Sequence, residues 1–181
     1  MVSLRGRLRF LVRTGLFLAF ISMGTEALAA GVPACSASPT LQPFRSMAVN
    51  NQQVLVWKLT TRNQFLARGF VEGRVVRDLP DQTGHRHFLI QIGQRPTEVL
   101  EVIYSEDFGA MPMPRIGAVV YACGDYITST ATSGSLPPSP AGAIIHWVHQ
   151  SDSPNHASGF VMVDNVVYGN LGGQRGGRPL D

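Results

Sequence analysis

The stretch His87 to Ile103, HFLIQIGQRPTEVLEVI, decides the fold. Phe88, Ile90 and Ile92 alternate with His87, Leu89 and Gln91, the period of two that puts successive side chains on opposite faces of a strand. Gly93 to Pro96 turns the chain. Val99, Glu101 and Ile103 then alternate with Glu98, Leu100 and Val102, so the stretch predicts a β-hairpin.

Outward from this hairpin the strand signals continue. Upstream, Gly69 to Val76 alternates and ends in the turn Leu79-Pro80-Asp81-Gln82-Thr83-Gly84. Asn50 to Leu66 fits either a strand or a helix at Val54-Leu55-Val56-Trp57, and helix is the favoured reading. Downstream, Ser105 before Glu106 and Asp107 predicts a capped helical turn, which Pro112 and Pro114 keep short. Ala118 to Tyr126 (AVVYACGDY) and Ala143 to His149 read as a fourth and a fifth strand. Thr128 to Gly142 between them has no apolar period and reads as a long surface loop. Phe160 to Tyr168 predicts a hairpin turning at Asp164-Asn165. Three strands, a short helical connection and two more strands is the order of a small five-stranded OB-like barrel or roll, here mainly β with a C-terminal hairpin.

The ends of the chain have a different character. Residues 1 to 13 are basic, Thr14 to Met23 (TGLFLAFISM) are apolar, and Ala27-Leu28-Ala29 is a small-x-small cleavage site. Residues 1–29 are therefore expected to be a signal peptide, with export to the periplasm or the extracellular space. The apolar run is too short for a transmembrane anchor, since a span takes about 20 residues. Residues 30–49 read as a linker or arm, 50–168 as a single β-rich domain and 169–181 as a flexible Gly-rich tail.

With 181 residues, 44% of them apolar and 15% charged, the composition is globular and excludes a large multidomain enzyme. The chain carries fifteen Lys and Arg against twelve Asp and Glu. Removing the leader takes Arg5, Arg7, Arg9, Arg13 and Glu26, which leaves eleven of each sign. A neutral mature protein gives no support to nucleic-acid binding through bulk charge, and no nucleic-acid partner is expected.

The two cysteines, Cys35 and Cys123, are expected to form a disulfide in an exported protein. Reading Val32-Pro33-Ala34-Cys35 as a lipid attachment site is disfavoured by Pro33 and by its distance from the apolar run.

Five histidines, His85, His87, His146, His149 and His156, fall in two short segments and carry the chemical signal. On a strand His85 and His87 share one face, as a pair that can chelate one transition-metal ion, with His156 or one of His146 and His149 as a third ligand. Strand geometry would send His146 and His149 to opposite faces unless the strand ends or bulges between them. No HExxH, GxSxG, phosphate loop or CxxC is present, so no catalytic residue and no cofactor is assigned. His85 near Asp81 is a candidate oriented base. Tyr104, Tyr121, Tyr126, Trp147 and Phe160 are candidate ligand platforms, with Trp57 and Trp147 assigned to the core.

At these residues the chain resembles the small exported bacterial proteins of domain-of-unknown-function family 3465. The resemblance is carried by Gly73-x-Val75, Leu79-Pro80-Asp81 followed by Gly84-x-Arg86-His87, Gly124-Asp125-Tyr126, the run Ala143 to His149 with its HWVH, and Gly159-Phe160. It covers Gly69 to Tyr168, and HWxH is its most specific part. Phe88 stands where the family tends to have Gln, Ile103 to Asp107 occupies the place of a family HNID, Gln150-Ser151-Asp152 replaces HDP, and the Pro-rich loop looks like an insertion. The resemblance implies export and a site neighbourhood, with no activity to carry over.

Three functional classes follow. The first is a non-enzymatic domain binding a small ligand or metal ion through the histidines. The second is a metal-assisted hydrolase in which Asp81 or Asp152 is the base. The third is a protein-interaction module using the Pro-rich loop, with structural histidines.

Overall fold

The computed structural model describes residues 32–37, 46–151, 153 and 156–169, together with the backbone of 178–179. The leader lies outside the described residues, as does most of the tail. In chain order the elements are β1 (Cys35–Ser36), β2 (Ser46–Met47), α1 (Asn51–Thr60), β3 (Leu66–Asp78), β4 (His85–Gln91), β5 (Val99–Ser105), a 3-10 turn (Glu106–Phe108), β6 (Val119–Thr128), β7 (Ala143–His146), β8 (Phe160–Val163), β9 (Val166–Tyr168) and β10 (Arg178–Pro179).

Five strands close a barrel. β3 pairs antiparallel with β4 on one side and β6 on the other, and β4 pairs antiparallel with β5. β7 then fills the gap, parallel to β5 through Glu101↔Ile144 and Val102↔Ile145, and antiparallel to β6 from Asp125↔His146 to Thr128↔Ala143. The first barrel strand between the second and fourth, with the third parallel to the fifth, is the connectivity of the OB-type barrel. The hairpin β8–β9 extends the sheet from β6, and its turn residues Asp164 and Asn165 have φ of 44° and 68°, as a tight two-residue turn requires.

Alternation explains what fills the barrel. Val71 and Val75, Phe88 and Ile90, Leu100, Val102 and Tyr104, Val120, Ala122 and Tyr126, and Ile145 all point inward and are buried. α1 closes one end: Val54 and Leu55 are buried in this core and Trp57 packs against Tyr126 and Phe65. Asn51 seats the helix by donating to the carbonyls of Glu72 (2.7 Å) and Ile92 (2.9 Å) and accepting from the Glu72 amide (3.0 Å). The ambiguous segment is thus a helix because its apolar residues serve as a lid over an open barrel end.

A second, smaller core lies outside the barrel wall. Cys35, Phe70, Tyr121, Cys123, Phe160, Met162 and Val167 cluster there between the arm, β3, β6 and the hairpin. The expected bridge is present: Cys35 and Cys123 are disulfide-bonded with Cα atoms 5.7 Å apart. This occupies the Cys35 sulfur and overturns the lipid-attachment alternative. Arg68 locks the same region, donating to the Ser36 carbonyl (3.0 Å), to Asp125 (2.8 Å) and to the Ser158 carbonyl. Burial draws the Arg68 pKa down, and Asp125 opposes that shift. Among the described residues no helix is long and apolar enough to cross a membrane.

The bridge closes a loop of 88 residues, which in the chain-entropy account contributes about 4 to 5 kcal/mol. Replacing both cysteines by alanine is expected to lower the melting temperature by roughly 10 °C, measured by calorimetry. An unchanged melting temperature would mean that the arm contributes nothing to stability.

Candidate functional site

The outward-facing positions of β4, β5 and β7 bring the sequence-predicted residues to one surface. With Phe88 and Ile90 inside, His85 and His87 must point out from β4; with Leu100, Val102 and Tyr104 inside, Glu101 and Ile103 point out from β5. The register His87↔Ile103 and the parallel pair Glu101↔Ile144 lay Ile144 and His146 beside them. The ring of His85 lies 6.5 Å from that of His87 and 5.8 Å from that of His146, centroid to centroid.

Glu101 is the residue that sequence reasoning missed. It is 5% exposed, and its Oε1 accepts a 2.7 Å hydrogen bond from Nδ1–H of His87. The signal was available: a carboxylate stands between Val99 and Ile103 on one strand face, where a solvent-facing row would not be so apolar. His85 is fixed in the same sense, its Nδ1–H donating to the Thr83 carbonyl at 3.0 Å. A carbonyl or carboxylate only accepts, so in each neutral ring Nδ1 carries the proton and Nε2 keeps its lone pair. The His146 pKa is pushed down to about 4, first by burial and then by repulsion from the other four histidines, so its ring is neutral at pH 7.

These four residues lie at a cavity of about 460 Å³. Leu79, Pro80, Gln82 and Thr83 of the β3–β4 loop wall one side; Leu136, Pro137, Pro138 and Pro140 of the β6–β7 loop wall the other; Ile103, Ile127 and Ile144 line it from the strands. The second and third strands of an OB-type barrel, between the loop joining strands one and two and the loop joining four and five, form the face where such barrels take oligonucleotides and oligosaccharides. The cavity occupies that position.

The fifth strand stops at His146, three residues short of its expected end. Trp147 has φ of +55°, a conformation that bulky residues rarely adopt. Two glycines make room for the turn: a Cβ on Gly124 would come 2.3 Å from the His146 carbonyl oxygen, and one on Gly159 would come 2.4 Å from that of Trp147. The chain therefore leaves the barrel, and His149 and His156 form a separate aromatic group. His149, 4% exposed, stacks on Phe108 with centroids 3.5 Å apart and donates from Nδ1 to the Gln150 carbonyl at 2.7 Å. Burial lowers its pKa, and the carbonyl contact acts the other way. His156 stacks on Trp147 at 4.7 Å and contacts Ser151 Oγ at 3.2 Å.

Several expectations are corrected here. Trp147 is 40% exposed and stacks with His146 as well as His156, so it is not a core residue. Tyr104, Tyr121, Tyr126 and Phe160 are buried in the two cores and cannot serve as ligand platforms. Asp81 pairs with Arg86 at 2.9 Å while His85 turns to Thr83, so Asp81 does not orient His85. Asp152 lies outside the described residues. Among the described residues no three His, Cys, Asp or Glu side chains form a group that could hold a metal ion. No protein-family model, no curated protein and no solved structure matches the chain.

Two predictions follow from this geometry. The folded His146 pKa lies below the unfolded value near 6.5, so the unfolded chain binds more protons between those two values, and stability falls as pH drops through that window. Melting temperatures at pH 7.5 and 4.5 are expected to differ less in His146→Gln than in the wild type; an unchanged difference would remove His146 as a cause. His149, lowered by burial, supplies a remaining slope of the same sign. Separately, Gly159→Ala would drive a methyl into the backbone of Cys123 and Trp147, and a loss of about 2 to 4 kcal/mol in denaturant unfolding is expected.

Proposed function

We propose that this chain is a small exported β-barrel protein that binds a small ligand, without catalysis, in the cavity over β4, β5 and β7. The single observation that carries the reading is the cavity itself: mostly apolar walls, a few convergent polar groups and a position on the ligand face of an OB-type barrel. Its volume suits a small molecule or one residue of a polymer. The motifs of the family 3465 resemblance support the same location, since Leu79-Pro80, His87 and His146 all line it.

Export, to the periplasm or outside the cell, is read from the leader-like N-terminus and is compatible with a disulfide, since such bridges persist in oxidising compartments. The Pro-rich loop of the interaction-module reading is here a wall of the cavity, which makes it part of ligand selection.

A metal-binding version keeps one specific support. A histidine whose Nδ1–H is held by a carboxylate, as His87 is by Glu101, is the usual outer-shell arrangement of a metal-ligating imidazole, with Nε2 left for the ion. One experiment addresses both versions. Binding of the neutral dye Nile red and the metal content are measured for the wild type, for Ile144→Trp, which fills the cavity, and for His87→Ala/His146→Ala. Dye binding in the wild type that Ile144→Trp abolishes, with melting temperature kept, is the expected result. About one equivalent of a transition metal in the wild type and none in the double variant would put an ion at the histidines. Absence of both dye binding and metal would overturn the reading.

A further inference from the structure

At the histidine end of the cavity the groups that hold His85 and His87 are hydrogen-bond acceptors. Thr83 and Glu101 each take the Nδ1 proton of a histidine, which turns the lone pairs of His85 Nε2 and His87 Nε2 outward in the neutral rings. Glu101 is the one carboxylate of the lining, and among the described residues no lysine or arginine lines the cavity. An anionic ligand would meet a carboxylate with no cation to offset it, and a purely apolar one would leave that buried carboxylate with a single donor. The rest of the lining is mostly prolines, leucines and isoleucines, interspersed with the neutral side chains of Gln64, Gln82, Thr83 and three serines.

Resting on the ligand-binding reading above, we propose that the cavity takes a small organic amine. The apolar body lies between the Pro-rich loop and Ile144, and the ammonium donates to Glu101 and to the lone pairs of His85 and His87. An ammonium has three donors and no acceptor, which is the complement of this floor. The arrangement also accounts for a buried carboxylate on an outward strand face: the ligand supplies the second donor that its one histidine partner does not. By the same count, phosphate and carboxylate ligands are the poorest fit, since they would meet the Glu101 carboxylate.

The test uses the oxidised protein with its Cys35–Cys123 bridge, in buffer with EDTA so that no metal joins probe to protein. Three probes of one shape are titrated calorimetrically: 4-phenylbutylamine, the neutral 4-phenylbutanol and the anionic 4-phenylbutanoate. The amine is expected to bind roughly ten- to a hundredfold more tightly than the alcohol, the range for a hydrogen bond to a charged group, and the carboxylate weakest. Glu101→Gln should bring the amine down to the level of the alcohol. His85→Lys, which adds a cation at the more accessible end of the floor, should invert the order in favour of the carboxylate, and this variant serves if Glu101→Gln fails to fold. An amine no tighter than the alcohol, while the alcohol and Nile red both bind, overturns the amine assignment and leaves the cavity reading standing. If none of the three probes and no dye binds, both fall together.

Discussion

The parallel pairing of β5 with β7 is the constraint on which the rest of the molecule depends. Two register pairs, Glu101↔Ile144 and Val102↔Ile145, close a sheet that would otherwise present two open edges. Closure buries Ile145 and Val102 inside the barrel, and the same register necessarily turns Glu101 and Ile144 outward as neighbours. A slip of one residue would exchange the two sets and destroy core and cavity together. Packing and site are thus alternate positions of the same strands.

A cost accompanies this arrangement on the outer face. Glu101 is held out of water with His87 as its hydrogen-bonding partner, where burial of an incompletely paired carboxylate is unfavourable by an amount on the order of a few kcal/mol. Trp147 adds a second local cost by turning through a left-handed backbone conformation, offset by the close packing that Gly124 and Gly159 permit. Both costs fall beside β7, Glu101 opposite Ile144 and Trp147 next to His146. Such concentration is characteristic of surfaces shaped for something other than stability.

The strands were legible because alternation is a local property: Phe88, Ile90 and Ile92, or Leu100 and Val102, announce their face without knowledge of any partner. The helix was legible only in part, since Val54 to Trp57 suits either period until the open barrel end is known. The disulfide followed from a count of two. What the sequence could not reveal were relations set by register and backbone torsion. Glu101 reads as one more polar residue of an alternating strand until β4 and β7 flank it, and HWVH reads as continuous strand until the φ of Trp147 ends it. The five histidines, read from the sequence as the chemical signal, divide into three at the cavity and two around Trp147 and Phe108, and that division depends on the turn.

The barrel also separates what holds it from what lines its cavity. The disulfide, the Arg68 contacts and the second core lie on β3, β6 and the hairpin, whereas the cavity walls come from two loops whose ends are anchored in paired strands. Substitutions in Ser133 to Pro140 can therefore accumulate without unfolding the chain. Among descendants of one ancestral barrel, the length and sequence of this loop would diverge fastest while the wall of the barrel stayed recognisable. The protein is built so that selectivity can drift on a scaffold that does not.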